Sequence, residues 1–368
     1  MKVQFNRVAL VEALNLLTSV VPNRTPRPIL RCVKIAAAGK EVRICATDLE
    51  AGINYLVSEV KVEQAGEVIV PADRLAAIVR ESVDEVLSLE ASEGICEIKG
   101  EDSYFKIFGQ QEDQYPQVPG FEGEADLEIA LEDLQTGIGQ CLFATAKESS
   151  RYAINGVLWE IKGKKLLFVA TDGRRLVRTR INLVSAAKEN LAAAKIIVPA
   201  KTMGLLEKVG RGGKDPVRVK FVNNQIILGC SSVVISSNLV EGNFPKYEDI
   251  IPDNYDKKLK LSTEAVFSAV RRSALLTSDE SKSVKISISK KVMVFSSRAP
   301  ETGDARVEMA IDYKGEPIEI GFNPQFLIEV LRVITEPEFE LELGQPDRPG
   351  LIKSGANFIC VLMPINLS

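Results

Sequence analysis

Two aspartates stand at matching places in the sequence and are the side chains best able to do chemistry. Asp48 lies in ICATDLEAG (44–52), and Asp172 lies in FVATDGRRL (168–176). With Glu50, these carboxylates could hold a divalent metal ion for phosphoryl transfer, a reaction that needs several carboxylates converging on one point. The alternative is a structural role, in which Thr and Asp satisfy backbone groups where a strand turns.

The chain contains no histidine. This excludes Ser-His-Asp and Cys-His nucleophilic systems, and metal sites that use His as a ligand. An enzyme built from this chain would depend on carboxylates, lysines, tyrosines or thiols. The cysteines form no C-x-x-C pair, and several stand in strand-like runs, so we expect buried thiols in a reducing compartment. They are Cys32, Cys45, Cys96, Cys141, Cys230 and Cys360.

Composition is that of an ordinary globular protein, with 45% hydrophobic and 26% charged residues. A length of 368 residues predicts two or three domains. The sequence contains no apolar run long enough for a membrane span, and MKVQFNRVAL lacks the features of a signal peptide, so we expect a cytoplasmic protein. The net charge of −4 does not suggest nucleic-acid binding, although the distribution of charge matters more than its sum.

One layout recurs three times along the chain. An amphipathic helix pattern opens each third, and a strand followed by a second helix pattern comes later, as in VIVPADRLAAIVRE (68–81) and IIVPAKTMGLLEKV (196–209). IEIGFNPQFLIEVLRVI (318–334) is a looser third copy. The predicted helical segments are 6–21, 72–82, 132–147, 200–210, 263–276 and 324–334.

The repeat predicts an α+β protein of three similar domains, each with two helices and several antiparallel strands. We expect the domains to be 1–122, 123–253 and 254–368, because Pro, Gly, Asp and Asn cluster at the two boundaries. In the third copy of the Ala-Thr-Asp site, Ser297 and Arg298 replace Thr and Asp. A catalytic Asp should not recur in two domains and be lost from the third, so the repeat favours the structural role.

Several motifs in fixed order carry a family resemblance over essentially the whole chain. The first third contains ILRCVKIAAAGKEVRICATDLEAGI, and the second contains RYAINGVLWE, VATDGRRL and LVEGNFPKYEDIIP. The last third contains EIGFNPQFLIEVL and the closing VLMPINL. In this order and spacing they resemble the bacterial sliding clamps, the β subunits of the DNA polymerase III holoenzyme. The resemblance implies a head-to-tail homodimer that closes a ring of six clamp domains around duplex DNA.

The resemblance implies a non-catalytic accessory subunit that binds DNA without reading its sequence and uses no cofactor or metal. The six helical segments hold nine basic and eight acidic residues, which leaves the predicted hole less negative than the outside. Without the resemblance, the same residues would be solvated helix faces and plain exposed loops. The expected DNA contacts are Arg24, Arg74, Arg80, Lys147, Arg151, Tyr152, Lys201, Lys208, Arg271 and Arg272.

The resemblance also implies a pocket that docks short linear motifs of the polymerase catalytic subunit, the clamp loader and repair proteins. Apolar side chains would form the trough, while backbone and Arg donors would orient the ligand. Taken alone, VLMPINL is equally an edge strand that ends at proline. The expected pocket residues are Ile154, Thr171, Gly173, Arg174, Arg175, Leu176, Pro245, Ile250, Asn323, Phe326, Val361, Leu362, Met363, Pro364, Ile365 and Leu367.

Five positions of this pocket region depart from the pattern of the family. Many members carry His where Arg174 stands, and some carry Arg where Asp249 stands. Some end in Arg-Leu where this chain has Asn366, some carry an aromatic residue in place of Ser281, and Ser368 extends the usual end. We therefore expect a rim that is less basic near the tail.

For the subunit interface, the matching positions are Phe105 and Ile107 in an edge-strand pattern, and Leu275 and Leu276 after a helix pattern. Core packing is an equal alternative for the two leucines. Two other functions stay open at this point. One is a carboxylate-dependent enzyme, and the other is a tandem-domain interaction scaffold that does not encircle DNA.

Overall fold

The computed structural model describes residues 1–57, 59–110, 115–147, 153–185, 191, 194–210, 215–253, 255–277, 283–300 and 303–367. The chain divides into two compact units. Unit 1 comprises Met1–Asp133, Leu183–Leu191 and Lys201–Leu239, and unit 2 comprises Leu134–Asn182, Ala192–Ala200 and Val240–Ser368. Within each unit, the described strand pairs are antiparallel. Some are hairpins joined by short turns, and others join strands that are distant in the sequence.

The first sheet of unit 1 has five strands, and two helices accompany it. They are β1 (Lys2–Asn6), α1 (Arg7–Leu17), β5 (Val60–Gln64), α2 (Ala72–Glu81), β7 (Val86–Ser92), β8 (Ile95–Lys99) and β9 (Tyr104–Phe108). The order is β5-β1-β7-β8-β9, so β9 is an edge strand. Helix α1 begins where the Asn6 side chain accepts a hydrogen bond from the Ala9 amide.

The second sheet of unit 1 has eight strands, and α4 (Ala200–Glu207) lies largely in the same unit. The strands are β2 (Cys32–Ala38), β3 (Glu41–Thr47), β4 (Ala51–Val57), β6 (Gly66–Pro71), β10 (Leu127–Ile129), β15 (Val217–Val222), β16 (Gln225–Cys230) and β17 (Val233–Asn238). Their order is β10-β15-β16-β17-β4-β3-β2-β6. The β17–β4 pairing therefore joins strands from the first and middle thirds of the chain.

Unit 2 contains an eight-stranded sheet of the same kind. Its strands are β11 (Gly156–Lys162), β12 (Lys165–Thr171), β13 (Arg175–Asn182), β14 (Lys195–Pro199), β18 (Lys257–Ser262), β23 (Glu338–Leu343), β24 (Gly350–Ser354) and β25 (Phe358–Leu362). Their order is β14-β11-β12-β13-β25-β24-β23-β18. Here the β13–β25 pairing joins the middle and last thirds of the chain.

A four-stranded sheet and most of three helices complete unit 2. They are α3 (Leu131–Cys141), α5 (Thr263–Ser273), β19 (Val284–Ser289), β20 (Val292–Ala299), β21 (Gly303–Ala310), β22 (Ile318–Phe322) and α6 (Pro324–Val333). The strand order is β21-β20-β19-β22, and α5 packs against α6. Asn323 caps α6 by accepting from the Gln325 amide, and Pro324 fits the first helical position.

Along the chain, each third reads strand, helix, a run of strands, helix and three strands. The α+β prediction of three clamp domains, each with two helices on antiparallel sheets, is therefore confirmed. The first helix of each third is shorter than predicted. After α3 and α5 the chain tightens into 3-10 turns at Leu142–Ala144 and Ala274–Leu276, so an apolar pattern of helical spacing continues beyond the α-helix.

None of the six cysteines forms a disulfide, and the structure buries all of them except the half-buried Cys45. Burial raises the pKa of both Cys32 and Cys45 to about 11, which keeps these thiols protonated at neutral pH. Within the described ranges, no helix combines the length and the apolar character that a membrane span requires.

Candidate functional site

The turn after β12 shows what the second aspartate does. The Thr171 hydroxyl donates to the Arg175 carbonyl (2.7 Å) and accepts from the Gly173 amide (3.1 Å). One carboxylate oxygen of Asp172 accepts from the amides of Arg174 (2.9 Å) and Arg175 (3.0 Å). Gly173 has φ of 85°, a conformation that glycine adopts without steric cost.

The turn after β3 repeats these contacts residue for residue. The Thr47 hydroxyl donates to the Ala51 carbonyl (2.7 Å) and accepts from the Leu49 amide (3.0 Å). One oxygen of Asp48 accepts from the amides of Glu50 (3.0 Å) and Ala51 (2.7 Å). Leu49 holds φ at 78°, where its counterpart is glycine. The structural interpretation of both aspartates is therefore confirmed.

The third copy has lost the turn. Ser297 is buried in β20 and donates to the Ser273 carbonyl (2.6 Å), while Arg298 lies 3.5 Å from Asp304 across the β20–β21 hairpin. In the part of the chain that the structure describes, no group of three or more Cys, Asp or Glu residues could hold a metal ion. The carboxylates of Asp48 and Asp172 are thus engaged in backbone turns.

Arg175, predicted as an orienting donor of the pocket, is instead turned into the protein and is only 8% exposed. Its guanidinium donates to Asp172 (3.0 Å), to Glu329 of α6 and to the Phe143 carbonyl (2.6 Å). The rings of Phe143 and Phe326 lie 4.9 and 4.4 Å from it. Burial requires such pairing of a charge, and the pairing leaves Arg175 no exposed face for a ligand.

The C-terminal tail lies beside this turn. In the β13–β25 ladder, Arg175 pairs with Leu362. The Met363 amide then donates to the Arg174 carbonyl (2.9 Å), and the Ile365 amide donates to the Gly321 carbonyl (2.8 Å). The tail is therefore fixed by backbone hydrogen bonds to the turn on one side and to the end of β22 on the other.

The predicted pocket residues all belong to unit 2 and divide into a floor and a wall. The buried floor consists of Ile154, Thr171, Arg175, Leu176, Val361 and Leu362. The partly or fully exposed wall consists of Gly173, Arg174, Pro245, Ile250, Asn323, Phe326, Met363, Pro364, Ile365 and Leu367. We call this set the tail groove. Met363, Leu367 and Ile250 are 42%, 44% and 39% exposed, so the wall offers apolar surface to a ligand.

The tail borders a cavity of about 390 Å³, lined by Glu319, Ile320, Gly321, Pro346, Asp347, Pro364, Ile365, Asn366 and Leu367. Two carboxylates, Glu319 and Asp347, are among its lining residues, and none of them is basic. Asp249 and Asn366 are exposed, whereas Ser281 and Ser368 lie outside the described residues. A larger cavity, of about 690 Å³, lies in unit 1 and contains none of the tail-groove residues.

A buried polar pair supports the floor of the groove. Tyr247 packs in the same apolar cluster as Leu176 and Val361, and its hydroxyl donates to Glu160. Burial raises the pKa of Tyr247, and the hydrogen bond to Glu160 raises it further. Burial opposes ionisation of Glu160, but hydrogen bonds from Tyr247 and Lys162 outweigh it, so the pKa of Glu160 lies below its usual value.

Eight of the ten predicted DNA contacts lie in the described residues, and all eight are exposed. They are Arg24, Arg74, Arg80, Lys147, Lys201, Lys208, Arg271 and Arg272, whereas Arg151 and Tyr152 lie outside the described residues. Lys201 is partly engaged, because its ammonium donates to Asp48 and to the Val20 carbonyl (3.3 Å). Lys208 donates to the Ser19 hydroxyl (3.1 Å).

The predicted interface residues lie at exposed edges. Phe105 (38% exposed) and Ile107 belong to β9, the edge strand of the five-stranded sheet. Leu275 is 79% exposed in the 3-10 turn after α5, so core packing is wrong for this residue. Sequence reasoning missed Phe108, which is 72% exposed at the end of β9, on the face opposite to Phe105 and Ile107. An apolar edge strand of this kind is a template for pairing with another chain.

Comparison with known proteins covers the chain almost from end to end. Models of the N-terminal, central and C-terminal domains of the DNA polymerase III β subunit match residues 1–119, 128–246 and 248–366. Among curated relatives, the β sliding clamp of Chlamydia muridarum is 28% identical over 370 residues, with 100% of this chain and 99% of that protein covered.

Solved structures give the same result. The fold matches the DnaN sliding clamp of Bartonella birtlesii bound to griselimycin with a TM-score of 0.92 and 28% identity. It matches the griselimycin-bound DnaN sliding clamp of Pseudomonas aeruginosa with a TM-score of 0.90 and 27% identity. Both comparisons cover 100% of each chain.

Proposed function

The chain belongs to the DNA polymerase III β-subunit family, and from this membership we propose that it is a DNA sliding clamp that tethers the replicative polymerase to its template. One observation carries the proposal, namely that the three domain models of the family match in order along the chain. A clamp acts by topological linkage to DNA, which needs a closed ring and no catalytic chemistry. We infer a non-catalytic, cytoplasmic accessory subunit.

We propose that two chains form a head-to-tail ring of six domains, with domain limits at 1–122, 123–253 and 254–368. The surfaces that would meet are the β9 edge, with Phe105 and Ile107, and the 3-10 turn with the exposed Leu275 and the half-buried Leu276. A head-to-tail contact joins two different surfaces and must close on itself to avoid forming a filament.

Duplex DNA would pass through this ring and be contacted without regard to sequence. Support comes from basic side chains on several helices that are exposed rather than buried in the fold, among them Arg74, Arg80, Arg271 and Arg272. Exposed arginine and lysine side chains attract the phosphates of DNA. Phosphate contacts carry no sequence information, so weak contacts of this kind permit the ring to slide along the duplex. Residue-level DNA contacts remain part of the proposal.

The tail groove is our proposed docking site for short segments of the polymerase, the clamp loader and repair proteins. Its exposed Met363, Leu367 and Ile250 provide an adaptable apolar surface for such segments. Griselimycin is bound by the two clamps named above, and we propose that this chain binds it in the tail groove.

Retention on DNA of defined topology tests the clamp function. A clamp that has been loaded by its clamp loader should stay on nicked circular DNA through gel filtration at high salt, and should be released when that circle is linearised. Equal loss from circular and linear DNA would contradict encirclement. Sedimentation distinguishes the clamp from the alternative of a scaffold that does not encircle DNA. The ring needs two chains, so a chain that stays monomeric at every concentration cannot form it.

A further inference from the structure

Two neighbouring arginines in the docking turn have opposite surroundings. Arg174 is exposed, whereas Arg175 is 8% exposed and donates to three acceptors within unit 2. The acceptors come from the turn itself (Asp172), from the segment after α3 (Phe143) and from α6 (Glu329). One side chain thereby ties the turn to both helical segments.

The equivalent turn of unit 1 pairs its aspartate with a different cation. At the position of Arg175 it has Ala51, and the second oxygen of Asp48 is paired with Lys201 of α4. In unit 2, the cation is Arg175 of the turn itself, and helix α6 supplies the anion Glu329. Arg175, the first residue of β13, therefore depends on the Glu329 carboxylate of α6, which lies outside the turn.

Three contacts connect this ion pair and its turn with residues of the tail groove. The Arg175 backbone pairs with Leu362, the carbonyl of Arg174 accepts from the Met363 amide, and the Phe326 ring lies against the guanidinium. Met363 and Phe326 both belong to the wall of the tail groove. A shift of Arg175 must therefore move groove residues on two sides, because packed interiors transmit displacement.

We propose that Arg175 is a positioning residue of the tail groove and that Glu329 is its required counter-ion. The inference rests on the proposed docking function and deepens it. The affinity of the groove is set in part by the ion pair between Arg175, a buried residue of its floor, and Glu329 of α6. Glu329 thus affects binding although it lies outside the set that lines the groove.

Griselimycin binding to the full-length protein tests the proposal, with affinity measured by titration calorimetry. In Glu329→Gln, the guanidinium keeps Asp172 and the Phe143 carbonyl but is deprived of its second charge partner. We expect about tenfold weaker binding, which corresponds to about 1.4 kcal/mol. The matched control is Glu338→Gln, which removes an exposed carboxylate that is paired with Lys260 elsewhere in unit 2. The control should bind as the parent does.

Hydrogen exchange of the Met363 amide gives a second readout, because a general loss of stability would not single it out. In Glu329→Gln, exchange at Met363 should accelerate, while amides inside β24 should keep their protection. Parent-like affinity together with parent-like exchange at Met363 in this variant would overturn the proposal.

A double-variant cycle tests whether the two residues act as one device. Arg175→Met and Glu329→Gln should each weaken griselimycin binding, and the combined variant should bind little more weakly than Arg175→Met alone. Fully additive effects would refute the coupling. If Arg175→Met fails to fold, Glu329→Gln still decides the matter. Failure of the parent itself to bind griselimycin would contradict the docking function, which is a different result from equal binding by parent and variant.

Discussion

Gly321 is the point where the structure allows the tail to be moved without disturbing the core. A Cβ at this position would stand 2.8 Å from the Ile365 carbonyl oxygen and 2.6 Å from Leu367 Cδ2. The first of these is a backbone atom and cannot rotate away. Gly321→Ala should therefore displace residues 364–367 from the end of β22.

Two interactions between the tail and β22 determine the size of the effect. Displacement breaks the Ile365–Gly321 hydrogen bond (2.8 Å), which contributes about 1 kcal/mol. It also exposes the buried part of Leu367, which is 44% exposed in the parent, and this burial contributes about 1 kcal/mol more. A groove wall destabilised by about 2 kcal/mol should weaken griselimycin binding roughly ten- to thirtyfold, since 1.4 kcal/mol is tenfold.

Global stability should change little in the same variant. Gly321 keeps its β19 partner Lys285, and alanine fits an extended strand better than glycine does. Titration calorimetry measures the affinity, and thermal unfolding measures the stability. The matched control is Gly120→Ala, where an added Cβ meets no atom within 4 Å. Parent-like affinity in Gly321→Ala would refute the claim that packing of the tail on β22 shapes the groove.

Three further perturbations test the dimer, the tail and the buried acid. Deletion of residues 363–368 should abolish polymerase stimulation in a primer-extension assay and leave the dimer intact; loss of the dimer would show that the tail is structural. Replacing Leu275 and Leu276 together with Ala should give monomers by analytical ultracentrifugation, and an unchanged sedimentation coefficient would exclude this surface from the interface. Glu160→Gln should reduce stability at neutral pH, since Glu160 accepts from the buried Tyr247. Because the folded pKa of Glu160 is lowered, its ionised form contributes stability above the usual value of 4.5 and loses it on acidification, so urea midpoints of parent and variant should converge below that pH.

Much of this fold follows from local patterns. The repeated Thr-Asp pair predicts two turns because the contacts of each turn span only five consecutive residues. The edge character of β9 is likewise visible in the alternation of Phe105 and Ile107. Helix ends are harder to predict, because the apolar spacing of α5 runs on through the 3-10 turn at Ala274–Leu276.

Contacts between residues that are distant in the sequence could not be predicted from local patterns. Arg175 and Glu329 are 154 positions apart, and the Phe143 carbonyl that shares the guanidinium carries no side-chain signal. The family resemblance implies both arginines as pocket residues, and a charged residue in a turn is ordinarily exposed. In the structure, only Arg174 of the two presents its side chain to solvent. Arg175 is buried and Arg174 is exposed because α6 and the segment after α3 pack on the Arg175 side chain.

The paired turns show how one repeat acquired two roles. In both turns, the carbonyl of the fourth residue accepts a hydrogen bond from the end of a neighbouring strand. The Asn238 amide donates to the Glu50 carbonyl in unit 1, and the Met363 amide donates to the Arg174 carbonyl in unit 2. The next cross-strand pair differs, because unit 2 has Leu176 opposite Val361 where unit 1 has Gly52 opposite Ser236.

That difference decides which turn can serve a partner. In unit 1, Val118 packs so closely on Gly52 that its Cγ1 would lie 2.6 Å from an added Cβ, and a tail does not end beside the turn. In unit 2, the larger apolar pair builds a floor, and the chain end supplies Met363 and Leu367 as exposed wall. The Thr-Asp turn is therefore a way to close a strand, and the docking surface that we propose adds apolar side chains and the C-terminal tail to one copy of it.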